Sequence, residues 1–292
     1  MIQLENANLN LTISKLGAEI KSLIYKPQQR ECMWQGDPAV WGRTAPILFP
    51  IVGQVRDNLY KCNAQSYNMT QHGFARDCEF IVVSEHSDAV TLELIQNETT
   101  LKKYPFQFSL SITYRIINQK VEVSYKVINT SSTETLPFSI GAHPGFACPF
   151  DNESNFEDYD LVFEQCESAD KIEFSDGLLT GKITRDYLKN SAKIPVNRSL
   201  FKDDALIFKQ LKSKTVSIKH RYSNRELKLH FNGFPYLGIW TQPKQAGNFI
   251  CLEPWYGITD SKNSSDEFSE KEGRQTLAPN QTFKAHFAIE VI

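Results

Sequence analysis

The 292-residue chain is 41% hydrophobic and 12% aromatic, enough apolar material to bury a large core, which excludes intrinsic disorder. Its 32 Lys and Arg nearly balance 34 Asp and Glu, so no strong field favours nucleic acid or an anionic membrane surface as partner. No apolar run approaches the length of a membrane-spanning helix, and Gln3, Glu5, Asn6 and Asn8 interrupt the amino terminus where a signal peptide would be apolar, so a cytoplasmic location is expected.

From the amino terminus onward, apolar and polar residues alternate with period two, the mark of strands with one buried face. Leu9, Leu11 and Ile13 open the series, and Ala18–Tyr25, Phe80–Val83 and Ala89–Leu94 follow. Phe106 to Ile116 and Val121 to Val127 then form a long antiparallel hairpin turned at Asn118-Gln119. Further strands are expected at Leu136–Ile140, Ala205–Phe208, Val216–Ile218, Leu227–Phe231, Tyr236–Trp240, Phe249–Leu252 and His286–Ile292. Helical periodicity is confined to two short tracts, Thr99–Tyr104 and Ser199–Asp204. The polar tracts Asp151–Asp158 and Asp260–Gly273 read as surface excursions between strands. No linker, repeat or composition break divides the series, so the expected architecture is all-β, one large antiparallel sandwich over residues 1–292 with few short helices. The six cysteines, at 32, 62, 78, 148, 166 and 251, include no CxxC pair and suggest neither a disulfide framework nor a zinc knuckle.

Three segments break the alternation in ways that a purely structural sheet does not require: Gln71 to Arg76, Gly141 to Phe146, and Cys251 to Trp255. His143 and Glu253 each precede proline, which disfavours the α region and holds the backbone extended. His143 shares parity with Ser139 and Gly141, small residues expected to leave a cleft floor above the sheet. Glu253 shares parity with Phe249 and Cys251, surroundings expected to raise its pKa by desolvation. Each residue alone also has a structural reading: a hydrogen-bonded histidine, an edge-capping glutamate, an arginine in a surface ion pair.

The motifs His72-Gly-Phe-Ala-Arg76, His143-Pro-Gly-Phe146 and Cys251-Leu-Glu-Pro254, in this order and at these separations, together resemble the signature of the aldose 1-epimerase (galactose mutarotase) family, in its LacX-type branch. The resemblance extends over essentially the whole chain, through the Leu16-Gly17-Ala18 opening strand and the Phe49–Gly53 loop. It implies a β-supersandwich, a sugar or sugar phosphate as the small-molecule partner, and neither cofactor nor metal, in a monomer or homodimer. Glu253 would be the base and His143 the acid, with His72 hydrogen-bonding the sugar near its ring oxygen and Asp204, or else Asp203, binding hydroxyls. Where galactose mutarotases read Gly-Arg-x-Lys-Asp-Gly, this chain reads Gly53-Gln54-Val55-Arg56-Asp57-Asn58, so Gln54 stands in place of a sugar-binding arginine. Arg43 resembles an arginine that hexose-6-phosphate mutarotases place at the pocket, and with Arg76 it would offer forked donors to phosphate or hydroxyls. Trp34, Trp41, Trp240 and Trp255 are candidate apolar platforms for a sugar. Competing readings are a metal site made of the two motif histidines and Glu253, glycoside cleavage by Glu253 with Asp204, and sugar binding without catalysis.

Overall fold

In the computed structural model, which describes residues 1–243 and 247–292, most period-two tracts are strands whose apolar parity faces inward; the Phe80–Val83 tract is an exception, its strand running Ile81–Glu85 with Ile81 and Val83 exposed. The longest regular pair is the expected hairpin: Phe108–Ile117 and Lys120–Asn129 lie antiparallel, with Ile117 opposite Lys120. Asn118 supplies the left-handed turn with φ of 53°, a conformation that asparagine tolerates well. Leu110, Ile112, Tyr114 and Ile116, with Val121, Val123, Tyr125 and Val127 opposite, are all buried.

Among the described residues, fifteen strands join in one antiparallel sheet, and the first four strands, from Ile2 to Glu31, form a second. A continuous apolar core joins the two, and the Tyr114 hydroxyl donates to Ala18 O at 2.5 Å across it. This is the sandwich arrangement expected from the alternation. Among the described residues, no helix is long and apolar enough to cross a membrane. The part of the large sheet that matters for chemistry runs, in spatial order, Ile140–Ala142, Phe249–Tyr256, Tyr236–Trp240, Leu206–Lys209 and Tyr159–Ser175.

Several elements depart from the sequence expectation. The Thr99–Tyr104 tract yields only the single helical turn Glu98–Leu101, started by Asn97 capping Thr99 N and Thr100 N, and Ser199–Asp204 is a 3-10 turn at Arg198–Phe201. The Leu136–Ile140 tract divides into Leu136–Phe138 and Ile140–Ala142, which pair in different sheets. A hairpin of two long strands, Tyr159–Ser175 and Leu178–Pro195, has no counterpart in the expected series. In its outer half burial does not alternate, since residues 169–175 are all half-buried and residues 181–186 all exposed, and its register shifts four times, so the period that marks a half-buried strand is missing there.

Asp260–Gly273 is not simply a surface excursion. Lys271 Nζ reaches Asp260 Oδ2 at 2.5 Å with both side chains buried, Asp260 also accepts from Arg56 N, and Phe268 fills the core beneath. The Phe249 strand continues to Tyr256 instead of ending at Leu252, which moves Glu253 from a strand end into the body of the sheet.

Candidate active site

The register of the sheet brings Glu253 and His143 together. Gly141 pairs with Trp255 and Gly145 pairs with Cys251, on two short strands that flank an interruption in the ladder. Continuing the same register across the gap sets His143 directly opposite Glu253. On the other side, Gly238 of the Tyr236–Trp240 strand pairs with Glu253. The prolines explain the gap. Leu252 N donates to Pro144 O, so by strand alternation the missing N–H of Pro254 also falls on the His143 side, where no ladder bond is lost. The two side chains share a face of the sheet, and His143 Nε2 lies 3.3 Å from Glu253 Oε2.

Glycines make this face concave. A Cβ on Gly238 would sit 2.4 Å from the Trp255 ring, and one on Gly141 would sit 2.6 Å from Trp255 Cδ1. The Trp255 indole therefore lies across both neighbouring strands, and the space expected above Gly141 is filled by this ring. Gly145 plays the matching part for Trp41, whose ring would be 2.8 Å from an added Cβ. Trp41 stacks on the His143 imidazole with centroids 4.9 Å apart, and Trp240 meets the same ring edge-on at 5.6 Å. The histidine is thus held between aromatic faces with little rotational freedom.

The resulting cavity has a volume of about 280 Å³, and its wall includes Glu253, His143, His72, Asp204, Arg76 and Trp255. His72 enters from the Gln71–Arg76 segment with φ of 64°, fixed by a reciprocal pair: His72 N donates to Gly53 O, and Gly53 N donates to His72 Nδ1 at 3.1 Å. Nδ1 is therefore the acceptor, so the neutral ring carries its proton on Nε2. Gly53 is required there, because a Cβ would fall 2.2 Å from that of Thr259. Asp204 approaches from the end of the Leu206–Lys209 strand, where the Ala205 N–H and the Trp240 indole favour its charged form against the effect of burial.

Electrostatics follow from burial. Glu253 is only 2% exposed; desolvation, with the Asp204 carboxylate second, raises its pKa well above 4.5. The Trp255 indole N–H opposes this rise, although it falls short of a formed hydrogen bond. Desolvation lowers His143 to about 3, with the Arg76 charge acting in the same direction. His72 is held well below its ordinary value by burial first, then by His143, Arg76 and Arg43. In the sugar-free cavity both members of the pair therefore favour their neutral forms, a different starting state from an imidazolium beside a carboxylate. Asp204 is raised by burial.

Of the residues expected from sequence, Glu253, His143, His72, Asp204 and Arg76 meet in the cavity wall. Arg43 and Gln54 do not. Arg43 Nη2 is paired with Asp77 Oδ1 at 2.7 Å, and Gln54 donates to Asn58 while packing against the Gly177 turn of the long hairpin. Asp203 is exposed beside the cavity. Among the tryptophans, Trp41, Trp240 and Trp255 line the wall, whereas Trp34 lies outside it, tilted against Phe249 and donating to Trp41 O. The sequence reading did not single out Gln71, Phe174, Ile207, Gln242 or Thr259, which also line it. Gln71 adjoins the His72 motif, and Ile207 has the inward parity of its strand; Phe174 belongs to the hairpin that carries no periodic signal.

Comparison with known proteins identifies the family of the chain. Residues 1–290 match the family model for aldose 1-epimerase. The chain is 32% identical to the plasmid-encoded protein LacX of Lactococcus lactis subsp. lactis, covering 100% of this chain and 99% of that one. It superposes on a galactose mutarotase related enzyme from Lactobacillus acidophilus with a TM-score of 0.95 at 34% identity, covering 100% of this chain and 97% of the other. A galactose mutarotase-like protein from Lactobacillus casei ATCC 334 gives a TM-score of 0.93 at 31% identity, with both chains covered in full. With the motif residues gathered in one cavity and the match running from end to end, the chain belongs to the aldose 1-epimerase family, in the company of LacX.

Proposed function

We propose that this protein interconverts the α and β anomers of an aldohexose by acid–base ring opening. The observation that carries the reading is the cross-strand Glu253–His143 pair, 3.3 Å apart in the wall of a cavity the size of one sugar ring. Glu253 takes the proton of the C1 hydroxyl and His143 delivers one to the ring oxygen, so the C1–O5 bond breaks and the open-chain aldehyde forms. Rotation about C1–C2 presents the other carbonyl face, and the two transfers reverse. The pair needs only one mobile proton for this cycle, and its net charge does not change. A sugar entering the cavity supplies hydroxyls that solvate the carboxylate and imidazolium, opposing the burial that holds the free pair neutral. His72, with its proton on Nε2, offers a donor to a sugar oxygen. Asp204 accepts from hydroxyls, and Trp41, Trp240 and Trp255 face the C–H surfaces.

A neutral hexose is favoured over a hexose phosphate. Among the described residues, the wall contributes one guanidinium, from Arg76, against the carboxyl groups of Asp204 and Glu253, and Arg43 is engaged with Asp77. Magnetisation-exchange NMR of anomeric protons tests both statements. Exchange between anomers should be accelerated well above the buffer rate, and more for free hexoses than for their 6-phosphates. Sugar binding without acceleration on any aldose would overturn the reading.

A further inference from the structure

Fully buried beside the catalytic pair, and outside the cavity lining, is a third donor that ring opening does not use. Cys251 lies two residues before Glu253 on the same strand and the same face, opposite Gly145. Its sulfur, a nitrogen of His143 and a carboxylate oxygen of Glu253 all lie within 4.8 Å of one another, and all three residues are buried. We propose that Cys251, His143 and Glu253 form an inhibitory site for Zn²⁺ and chemically similar divalent ions.

The donor set selects the ion. Thiolate with imidazole suits zinc, whereas magnesium and calcium require oxygen ligands. Zinc bonds of about 2.0–2.3 Å place tetrahedral donors roughly 3.4–3.6 Å apart, and His143 Nε2 and Glu253 Oε2 already stand at 3.3 Å. The two edges to the Cys251 sulfur, each within 4.8 Å, shorten to the same range on binding, and the cavity that His143 and Glu253 line leaves room for a fourth ligand. Binding forms Zn–S, Zn–N and Zn–O bonds. The thiol proton and the proton shared by Glu253 and His143 pass to solvent, along with water from the ion. Two anionic donors then balance the dication, so the buried centre carries no net charge. Among the described residues His143 Nδ1 has no hydrogen-bond partner, unlike the supported imidazoles of resident metal centres, which points to a reversible inhibitory site and not a cofactor site.

The metal site stands independently of the reaction; only the word inhibitory rests on the proposed mutarotation. The probe is Co²⁺, read by its thiolate-to-cobalt absorption in the near ultraviolet, on the intact protein. One cobalt per chain is expected, displaced by Zn²⁺. Cys251→Ser should abolish the thiolate band, and His143→Asn, which leaves the thiol in place, should weaken cobalt binding at least tenfold. Zinc should inhibit anomer exchange in the wild type, with the midpoint shifted at least tenfold in Cys251→Ser. Absence of the band in the wild type, or its persistence in a folded Cys251→Ser protein, would overturn the site. Full anomer exchange in protein saturated with zinc would overturn the inhibition alone.

Discussion

A carboxyl and an imidazole facing each other behind tryptophan rings are costly to charge, and that cost is measurable. Glu253 has a folded-state pKa raised above 4.5, so its contribution to stability is fully present below that value. It is lost as pH rises through the folded-state value, because the unfolded chain then ionises freely while the folded one resists. Glu253→Gln keeps the shape without the charge. Its melting temperature, relative to wild type, should therefore be more favourable at about pH 8 than at about pH 4.5. A difference that stays flat over this range would contradict the assignment. His143 works at the opposite end: its depressed value contributes stability that is present above 6.5 and lost as pH falls towards about 3. The acid limb of kcat/KM should accordingly lie well below the ordinary histidine range, as a pH–rate profile would reveal. Arg76 donates to Gln71 O at 2.6 Å, while its buried Nε, 4.0 Å from Asp77 Oδ2, makes no hydrogen bond among the described residues. If it binds sugar, Arg76→Ala should raise KM about tenfold or more with a smaller effect on kcat. Unchanged KM would remove it from the site.

At the scale of strands, the site depends on glycines that let tryptophan rings cross the sheet. Gly238→Ala would push a methyl group into the Trp255 indole, at the cost of about 1–3 kcal/mol typical of overpacking. Both melting temperature and kcat should fall, because Trp255 packs beside Glu253 in the cavity wall. The buried Lys271–Asp260 pair anchors the segment that follows Thr259. Lys271→Met would leave Asp260 without its cation in the interior, and a loss of about 3–5 kcal/mol is expected on chemical denaturation. These strand-level details explain what the sequence could and could not disclose. The hairpin Phe108–Asn129 was legible because one face is buried along its whole length. The hairpin Tyr159–Pro195 was not, since burial does not alternate along its outer half and its bulges scramble the period. The extension of the Phe249 strand through Pro254 was hidden because proline normally ends such a run, and only the broken partner ladder makes it harmless.

For the whole molecule, the register of one large sheet brings two distant motifs together at a single cavity, and the Gln71–Arg76 loop, tied by His72 to Gly53, brings the third. The three motifs supplied Glu253, His143, His72 and Arg76 as cavity candidates, and the family resemblance supplied Asp204. Arg43 and Gln54 were placed by analogy of position, and their side chains are captured by local partners, Asp77 and Asn58. No pattern in a single sequence encodes that competition. The neutral starting state of the pair was likewise out of reach, since it depends on how completely aromatic rings exclude water from both groups. The direct test of the central claim is a double-mutant cycle on Glu253→Gln and His143→Asn, read as anomer-exchange rate by NMR on proteins shown to be folded. Each single variant is expected to lose about 10²–10⁴ in kcat, and the double variant should lose little more than the worse single one, because one proton circuit needs both groups. Losses that multiply independently, or near wild-type exchange in either single variant, would contradict a paired acid and base.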